Sequence, residues 1–213
     1  MATRVLPSVD AELLPLIRRA AAVIRRGGVV AIPTETLYGL AVDPSNAEAV
    51  ARVFALKGRP DGKPLPLVAA NLAQVEVICG PLTNQLRLVA ARAWPGPLTL
   101  VLPALPGLAD AVTAGTGCVG IRVPSHPVTQ ALCEAVGGPL TATSANRSGD
   151  PATHLPAVVA RTFGTALDLL LDAGPTPGGA PSTVVSSVDG VVRLVREGAI
   201  PWLEVQRWLT MPQ

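Results

Sequence analysis

The sequence predicts an α/β fold built on a mixed sheet, and three observations carry that expectation. Short runs rich in valine, leucine and isoleucine, such as VVAIP at 29–33, LTLVLP at 98–103 and VGIRVP at 119–124, have the length and composition of buried strands. Between them lie longer stretches whose apolar residues recur at helical spacing and which end at glycine or proline. Strand and helix signals therefore alternate. Hairpin-like pairs near both ends make the sheet mixed rather than purely parallel.

Taken in order, the first helix is expected at 10–26, DAELLPLIRRAAAVIRR. It places Leu13, Leu16, Ile17, Ala20 and Ile24 on one face and stops at Gly27 and Gly28. VVAIP follows as a buried strand. Ser45-Asn46-Ala47-Glu48 reads as an S-x-x-E capping box, and Ala49, Val50, Val53 and Phe54 continue at helical spacing as far as Lys57. A strand at 65–70 and helices near 72–79 and 82–93 come next, then the strand at 98–103, entered through Trp94-Pro95-Gly96-Pro97. VGIRVP is a strand, 127–136 a helix, PLTATSA at 139–145 a further strand and 155–163 a helix. LDLLLDAG, STVVSSV and VVRLVREG complete the sheet, and WLEVQRWL is the last helix. PTPGGAPS at 175–182 reads as a flexible loop, and no repeat or long linker divides the chain, so one domain over 1–213 is expected.

Composition removes several function classes. Apolar residues make up 49% of the 213, and the mean hydropathy of +0.43 would suit either a membrane protein or a tightly packed domain. The longest apolar stretch, about 98–121, is broken by Pro103, Pro106, Gly107 and Asp110, short of the ~20 uninterrupted residues a spanning helix needs. The segment MATRVLPSVDAELL has no apolar block before a small-residue cleavage site, so a cytoplasmic location is expected. Cys79, Cys118 and Cys133 show neither CxxC nor Cys/His ligand spacing, which predicts reduced thiols and no structural metal. A net charge of +2 is far from the balance of a dedicated nucleic-acid-binding domain. There is no GxxxxGK[ST], no GxGxxG after the first strand, no HExxH and no GxSxG.

Chemistry must therefore come from less familiar clusters. Lys57, Arg59 and Lys63 fall within KGRPDGKPLPL, just past a helix, on a loop stiffened by Pro60 and Pro64. Such a cluster is either a solvated basic loop or an anion site; the repulsion between close like charges favours an anion that bridges them. Thr143-Ser144-Ala145-Asn146-Arg147-Ser148-Gly149 follows a strand and reads either as an ordinary turn or as a set of donors for an anion or a ribose. Pro33-Thr34-Glu35-Thr36-Leu37-Tyr38-Gly39 also follows a strand, where Glu35 is a base or, preferably, a cap on the next turn. Arg122 lies in an apolar strand and needs a carboxylate, from the protein or from a ligand.

Together and in order, PTETLYGL, KGRPDGKPLPL, WPGPLTLVLP, VGIRVPSHP, TATSANRSG, STVV and LVREGAI resemble the YrdC family, the L-threonylcarbamoyladenylate synthases, over about residues 12–200. The resemblance implies a YrdC-like (YrdC/RibB-type) twisted mixed β-sheet flanked by helices, with a concave basic cleft. It implies a nucleotidyltransferase that joins L-threonine, bicarbonate and ATP, with Mg2+, into threonylcarbamoyl-AMP and pyrophosphate. The product goes to a transferase complex that modifies tRNA beside the anticodon. By the family pattern Lys57 and Arg59 are the catalytic pair. ATP is held by Lys57, Arg59, Lys63, Cys118, Ser144, Asn146 and Arg196, and threonine by Thr34, Thr36, Arg122, Ala142 and Ser182. Cys118 stands where some relatives have a hydroxyl, so its contact is expected through the backbone. The chain departs from the pattern at Thr143, Pro181 and Ser186, and has Val68 or Ala69 where some relatives carry histidine. Two other readings remain open at this stage. One is a YciO-like nucleotide-binding relative, and the other is a double-stranded RNA or ribosome-associated module with weak RNA binding.

Overall fold

In the computed structural model, which describes residues 13–58, 62–187 and 191–210, the expected alternation runs through the chain. The first half comprises α1 (Leu13–Arg25), β1 (Val30–Ile32), β2 (Gly39–Ala41), α2 (Ala47–Lys57), β3 (Leu67–Val68), α3 (Leu72–Cys79), α4 (Asn84–Ala93), β4 (Leu98–Pro103) and α5 (Asp110–Thr113). The second half comprises β5 (Cys118–Arg122), α6 (Pro127–Val136), β6 (Leu140–Thr141), β7 (Thr143–Ser144), α7 (Pro156–Phe163), β8 (Leu169–Leu170), β9 (Thr183–Ser186), β10 (Arg193–Arg196) and α8 (Trp202–Thr210).

Two mixed sheets result, one with strand order β7-β2-β1-β8 and the other β10-β9-β4-β5-β3-β6. In the larger, β4 runs parallel to β9 and antiparallel to β5, while β5 runs parallel to β3. The run expected as one strand at 139–145 belongs to both sheets. Its first part, β6, pairs with β3, its second part, β7, pairs with β2, and Ala142 at the joint donates its N–H to Pro66 O. Thr141 ties the sheets together, its N–H donating to Val42 O and its hydroxyl accepting from Val42 N.

Period-two alternation divides the core. On β1 and its approach, Val29 and Ala31 enter one apolar cluster while Val30 and Ile32 enter the other; around β3, Leu67 and Ala69 separate in the same way from Val68 and Ala70. The second cluster is closed by α1 and α6, and Arg25 secures that pair by donating to the Ala135 and Val136 carbonyls at the end of α6. Burying Ile17 and Ile24 contributes on the order of 1.5–3 kcal/mol each. The remaining strand faces meet α2 and α4 in the first cluster.

Three local expectations are corrected. Leu16 is 43% exposed, because the stripe buried by α1 is Ile17, Ala20, Ala21 and Ile24, and Leu16 lies about 100° off it. The cap of α2 is Asn46, whose side chain accepts from Ala49 N at 3.0 Å; Ser45 is held instead by Asp43. The 175–182 segment is tethered: Thr176, 5% exposed, donates its hydroxyl to Thr36 O, and Gly178 N donates to the same oxygen. No described helix is long and apolar enough to cross a membrane.

Candidate functional site

A cavity lies over β4 and β5 of the larger sheet, and the alternation of these strands shows which side chains line it. On β4, Leu98, Leu100 and Leu102 point into the core while Thr99 and Val101 point the other way; on β5, Val119 and Ile121 are core and Cys118, Gly120 and Arg122 face outward. Gly120 keeps this floor low, since a Cβ there would lie 3.2 Å from the Thr99 methyl. The PTETLYG segment, Ala142 with β7, and the Pro181–Ser182 stretch complete the walls of a cavity of about 750 Å³. That volume suits a small-molecule substrate.

Thr34 shapes the first wall. Its hydroxyl donates to Leu37 O at 2.7 Å, accepts from the Thr36 and Leu37 N–H groups at 3.3 Å, and lies 3.1 Å from the Thr36 hydroxyl. The cap on this turn is therefore Thr34, not Glu35. Tyr38 anchors the same segment by donating its phenol to Gly174 O at 2.7 Å, and burial raises its pKa above the ordinary 10.0.

Glu35 pairs with Arg122. The Arg122 Nε donates to Glu35 Oε1 at 3.2 Å, with both side chains about nine-tenths buried, so the carboxylate this strand required comes from the protein. Arg122 lines the cavity, and its terminal nitrogens make no hydrogen bond among the described residues. The fork thus faces the cavity while its stem is held from behind. Glu35 Oε2 and His126 Nδ1 are buried without a partner among the described residues. Burial lowers the His126 pKa below the usual 6.5, and Glu35 partly opposes that shift.

On the opposite wall Thr99 and Ser182 hydroxyls lie 2.9 Å apart, and Arg196 donates to Ser182 O at 2.8 Å. Gly198 turns the chain directly against this wall: a Cβ there would come within 2.2 Å of Pro181 O, a contact no side chain tolerates. The cysteines are all free thiols, and burial, with a smaller contribution from Cys118, pushes the Cys79 pKa up to about 12.

The residues singled out in the sequence distribute unevenly about this cavity. Thr34, Thr36, Arg122, Ala142 and Ser182 line it together, as do Cys118, Ser144 and Arg196. Asn146 lies two residues past the wall and is half-buried. Lys63 is exposed on the loop beside Pro64, which does line the cavity. Lys57, where the helical spacing was expected to end, is the last residue of α2, 4% exposed and bonded to the Ser144–Asn146 turn. Arg59 lies outside the described residues. Among the described residues no group of three His, Cys, Asp or Glu side chains is placed to hold a metal ion. Sequence reasoning missed Glu35 as the Arg122 partner, and missed Gly120 and Thr99 as the floor; period-two reading of β4 and β5 could have found the floor.

The Sua5/YciO/YrdC family model, described as Telomere recombination, matches residues 22–198. The chain is 42% identical over 187 residues to the threonylcarbamoyl-AMP synthase of Bacillus subtilis, covering 87% of this chain and 54% of that protein. It is 46% identical over 155 residues to the threonylcarbamoyl-AMP synthase of Halorhodospira halophila, covering 73% of this chain and 81% of that one. The crystal structure of Pyrococcus abyssi Sua5 complexed with L-threonine superposes with a TM-score of 0.87 at 38% identity, covering 91% of this chain and 57% of that one. The chain thus spans little more than half the length of the Bacillus and Pyrococcus proteins. With most of its length matched by the family model and by these relatives, the chain belongs to the Sua5/YciO/YrdC family.

Proposed function

We propose that this protein is an L-threonylcarbamoyladenylate synthase. The observation that carries the reading is the Arg122 fork, turned into a cavity also lined by Thr34, Thr36, Ala142 and Ser182. A guanidinium whose stem is fixed by a buried carboxylate is well suited to receive an amino-acid carboxylate in two parallel hydrogen bonds. The names of the relatives, and the threonine complex of the Pyrococcus protein, support threonine as that amino acid.

In this reading the threonine amine and bicarbonate give a carbamate with loss of water. A carbamate oxygen then attacks the α-phosphorus of ATP, the bond to the β-phosphate oxygen breaks, and pyrophosphate leaves. The protein's contribution is alignment and charge stabilisation rather than a nucleophile of its own. Arg122 holds the carboxylate, with Thr34, Thr36, Ser182 and the Ala142 backbone around the amino acid. Ser144, Asn146, Arg196 and the backbone at Cys118 hold the nucleotide. Lys63, on the loop beside the cavity-lining Pro64, and Arg59 meet the phosphates of magnesium-bound ATP, the form taken as substrate. The adenylate passes to a transferase complex acting on tRNA, which makes the cytoplasm the expected compartment.

The test is pyrophosphate release from ATP with magnesium and bicarbonate, with and without L-threonine, with L-serine as control. Release that depends on both threonine and bicarbonate is expected. ATP binding without that dependence would move the protein to a YciO-like role, and salt-sensitive affinity for double-stranded RNA without turnover to an RNA-binding one.

A further inference from the structure

The segment 172–182 is a crossover between the two sheets. It leaves the smaller one just past β8, where Leu171 N donates to Ala31 O, and enters the larger one at β9, where Thr183 N donates to Pro97 O. Its far end carries Ser182, on one wall of the cavity. Its near end is bonded to the PTETLYG segment on the opposite wall. Tyr38, fully buried, donates its phenol to Gly174 O at 2.7 Å and accepts from Ala173 N at 3.2 Å. Thr176 Oγ1 at 2.8 Å and Gly178 N at 2.9 Å both donate to Thr36 O. A single stretch of chain thus touches Thr36 and then supplies Ser182.

Local sequence shapes this tether. Asp172 Oδ1 accepts from Gly174 N at 2.9 Å, which starts the turn, and Pro175 fixes the backbone just before Thr176. Gly178, in the left-handed region at φ 72°, brings its N–H onto Thr36 O. Thr176 is 5% exposed and does not line the cavity, so its hydroxyl cannot serve a ligand directly. Its N–H is also engaged, donating to His154 O at 2.9 Å. What the hydroxyl does is hold the carbonyl of a residue that lines the cavity.

We propose that Thr176 is a positioning residue for amino-acid selection: by bonding the crossover to Thr36 O, it fixes the spacing between the Thr36 wall and the Ser182 wall. That the amino acid is threonine rests on the synthase reading; the tether itself does not. Threonine and serine differ by one methyl group, a difference worth about 10- to 200-fold in specificity when a pocket is shaped for the larger side chain. The advantage depends on stiffness. A wall that cannot collapse leaves serine beside a gap, whereas a loosened wall closes on serine and loses contact with threonine.

The experiment measures kcat/KM for threonine and for serine by pyrophosphate release, with ATP, magnesium and bicarbonate present. The full chain is compared with Thr176→Val, Thr176→Ser and Tyr38→Phe, and with Asn46→Ala as a control that loses stability away from the cavity. Thr176→Val keeps the shape and removes the donor. It should lower the threonine-to-serine ratio about threefold or more, through the threonine KM, with the ATP KM within about twofold of the unsubstituted value. Thr176→Ser restores the hydroxyl and should recover the ratio, and Asn46→Ala should leave it unchanged. Should Thr176→Val not fold, Tyr38→Phe decides by the same ratio. An unchanged ratio, or a fall that Thr176→Ser does not reverse, overturns the selection role. A second readout needs no substrate: in the ligand-free chain, hydrogen exchange at the Gly178 amide, which donates to Thr36 O, should accelerate about tenfold in Thr176→Val. Unchanged exchange overturns the tether. If the unsubstituted protein shows no threonine-dependent release, the synthase reading fails and the selection role with it, and the two failures are told apart because the exchange still reports the tether.

Discussion

Arg122 lies among apolar neighbours on β5, and its position alone demanded a negative partner. That demand was legible in the sequence; the identity of the partner was not, because Glu35 is 87 residues away and reaches the strand only through the fold. The two residues predict different losses. Arg122→Ala should raise the threonine KM about 10- to 100-fold, the range expected when charge-assisted hydrogen bonds worth roughly 1.5–3 kcal/mol are removed, with little change in the ATP KM. Steady-state kinetics with each substrate varied in turn would show this, and a rise confined to the ATP KM would refute the assignment. Glu35→Ala leaves a buried guanidinium unpaired and should cost about 3 kcal/mol of stability in urea titration. Lys57 shows the limit of residue-type reasoning more sharply. Three cations in a short segment are recognisable as a cluster, but only burial separates Lys57, which faces inward, from Lys63, which is exposed.

At the scale of elements, helices were easier to read than strands. The expected helices at 127–136 and 72–79 coincide with α6 and α3, since their period and punctuation are local properties. By contrast β2 and α5 gave no periodic signal, and the 139–145 run concealed a change of sheet at Ala142. Such short strands exist because of the partners they pair with. The cap of α2 offers a direct check: Asn46→Ala should destabilise the protein by about 1 kcal/mol, and Ser45→Ala by less than about 0.5 kcal/mol, in chemical denaturation. Reversed costs would restore Ser45 as the cap. Gly198→Ala tests the β9–β10 wall. A methyl group there has no room beside Pro181 and Ser182, so the wall must move, with a cost of about 1–3 kcal/mol and weakened binding of both threonine and ATP. Isothermal titration of each ligand would read the binding loss, and unaltered affinities would show that this wall is not part of either subsite.

For the molecule as a whole, pH gives a test that depends on the assembled core. The unfolded chain protonates His126 near pH 6.5, while burial holds the folded value lower, so below 6.5 the unfolded state binds more protons. This contribution to stability is complete above pH 6.5 and is lost as the pH falls through 6.5 toward the lower folded value. Melting temperatures measured from pH 8 to 5 should therefore decline from about pH 6.5 downward, and less steeply in His126→Asn; equal declines would show that His126 is not the group responsible. The sequence by itself determined the α/β class, most helices, the family likeness and, through that likeness, a set of residues that line one cavity, because these depend on local period, punctuation and ordered motifs. Only the tertiary structure decided that there are two sheets, that Glu35 holds Arg122 and that Lys57 is buried against the Ser144–Asn146 turn. Each of those is a pairing between segments distant in the chain, and burial, which makes the pairing necessary, is a property of the folded whole.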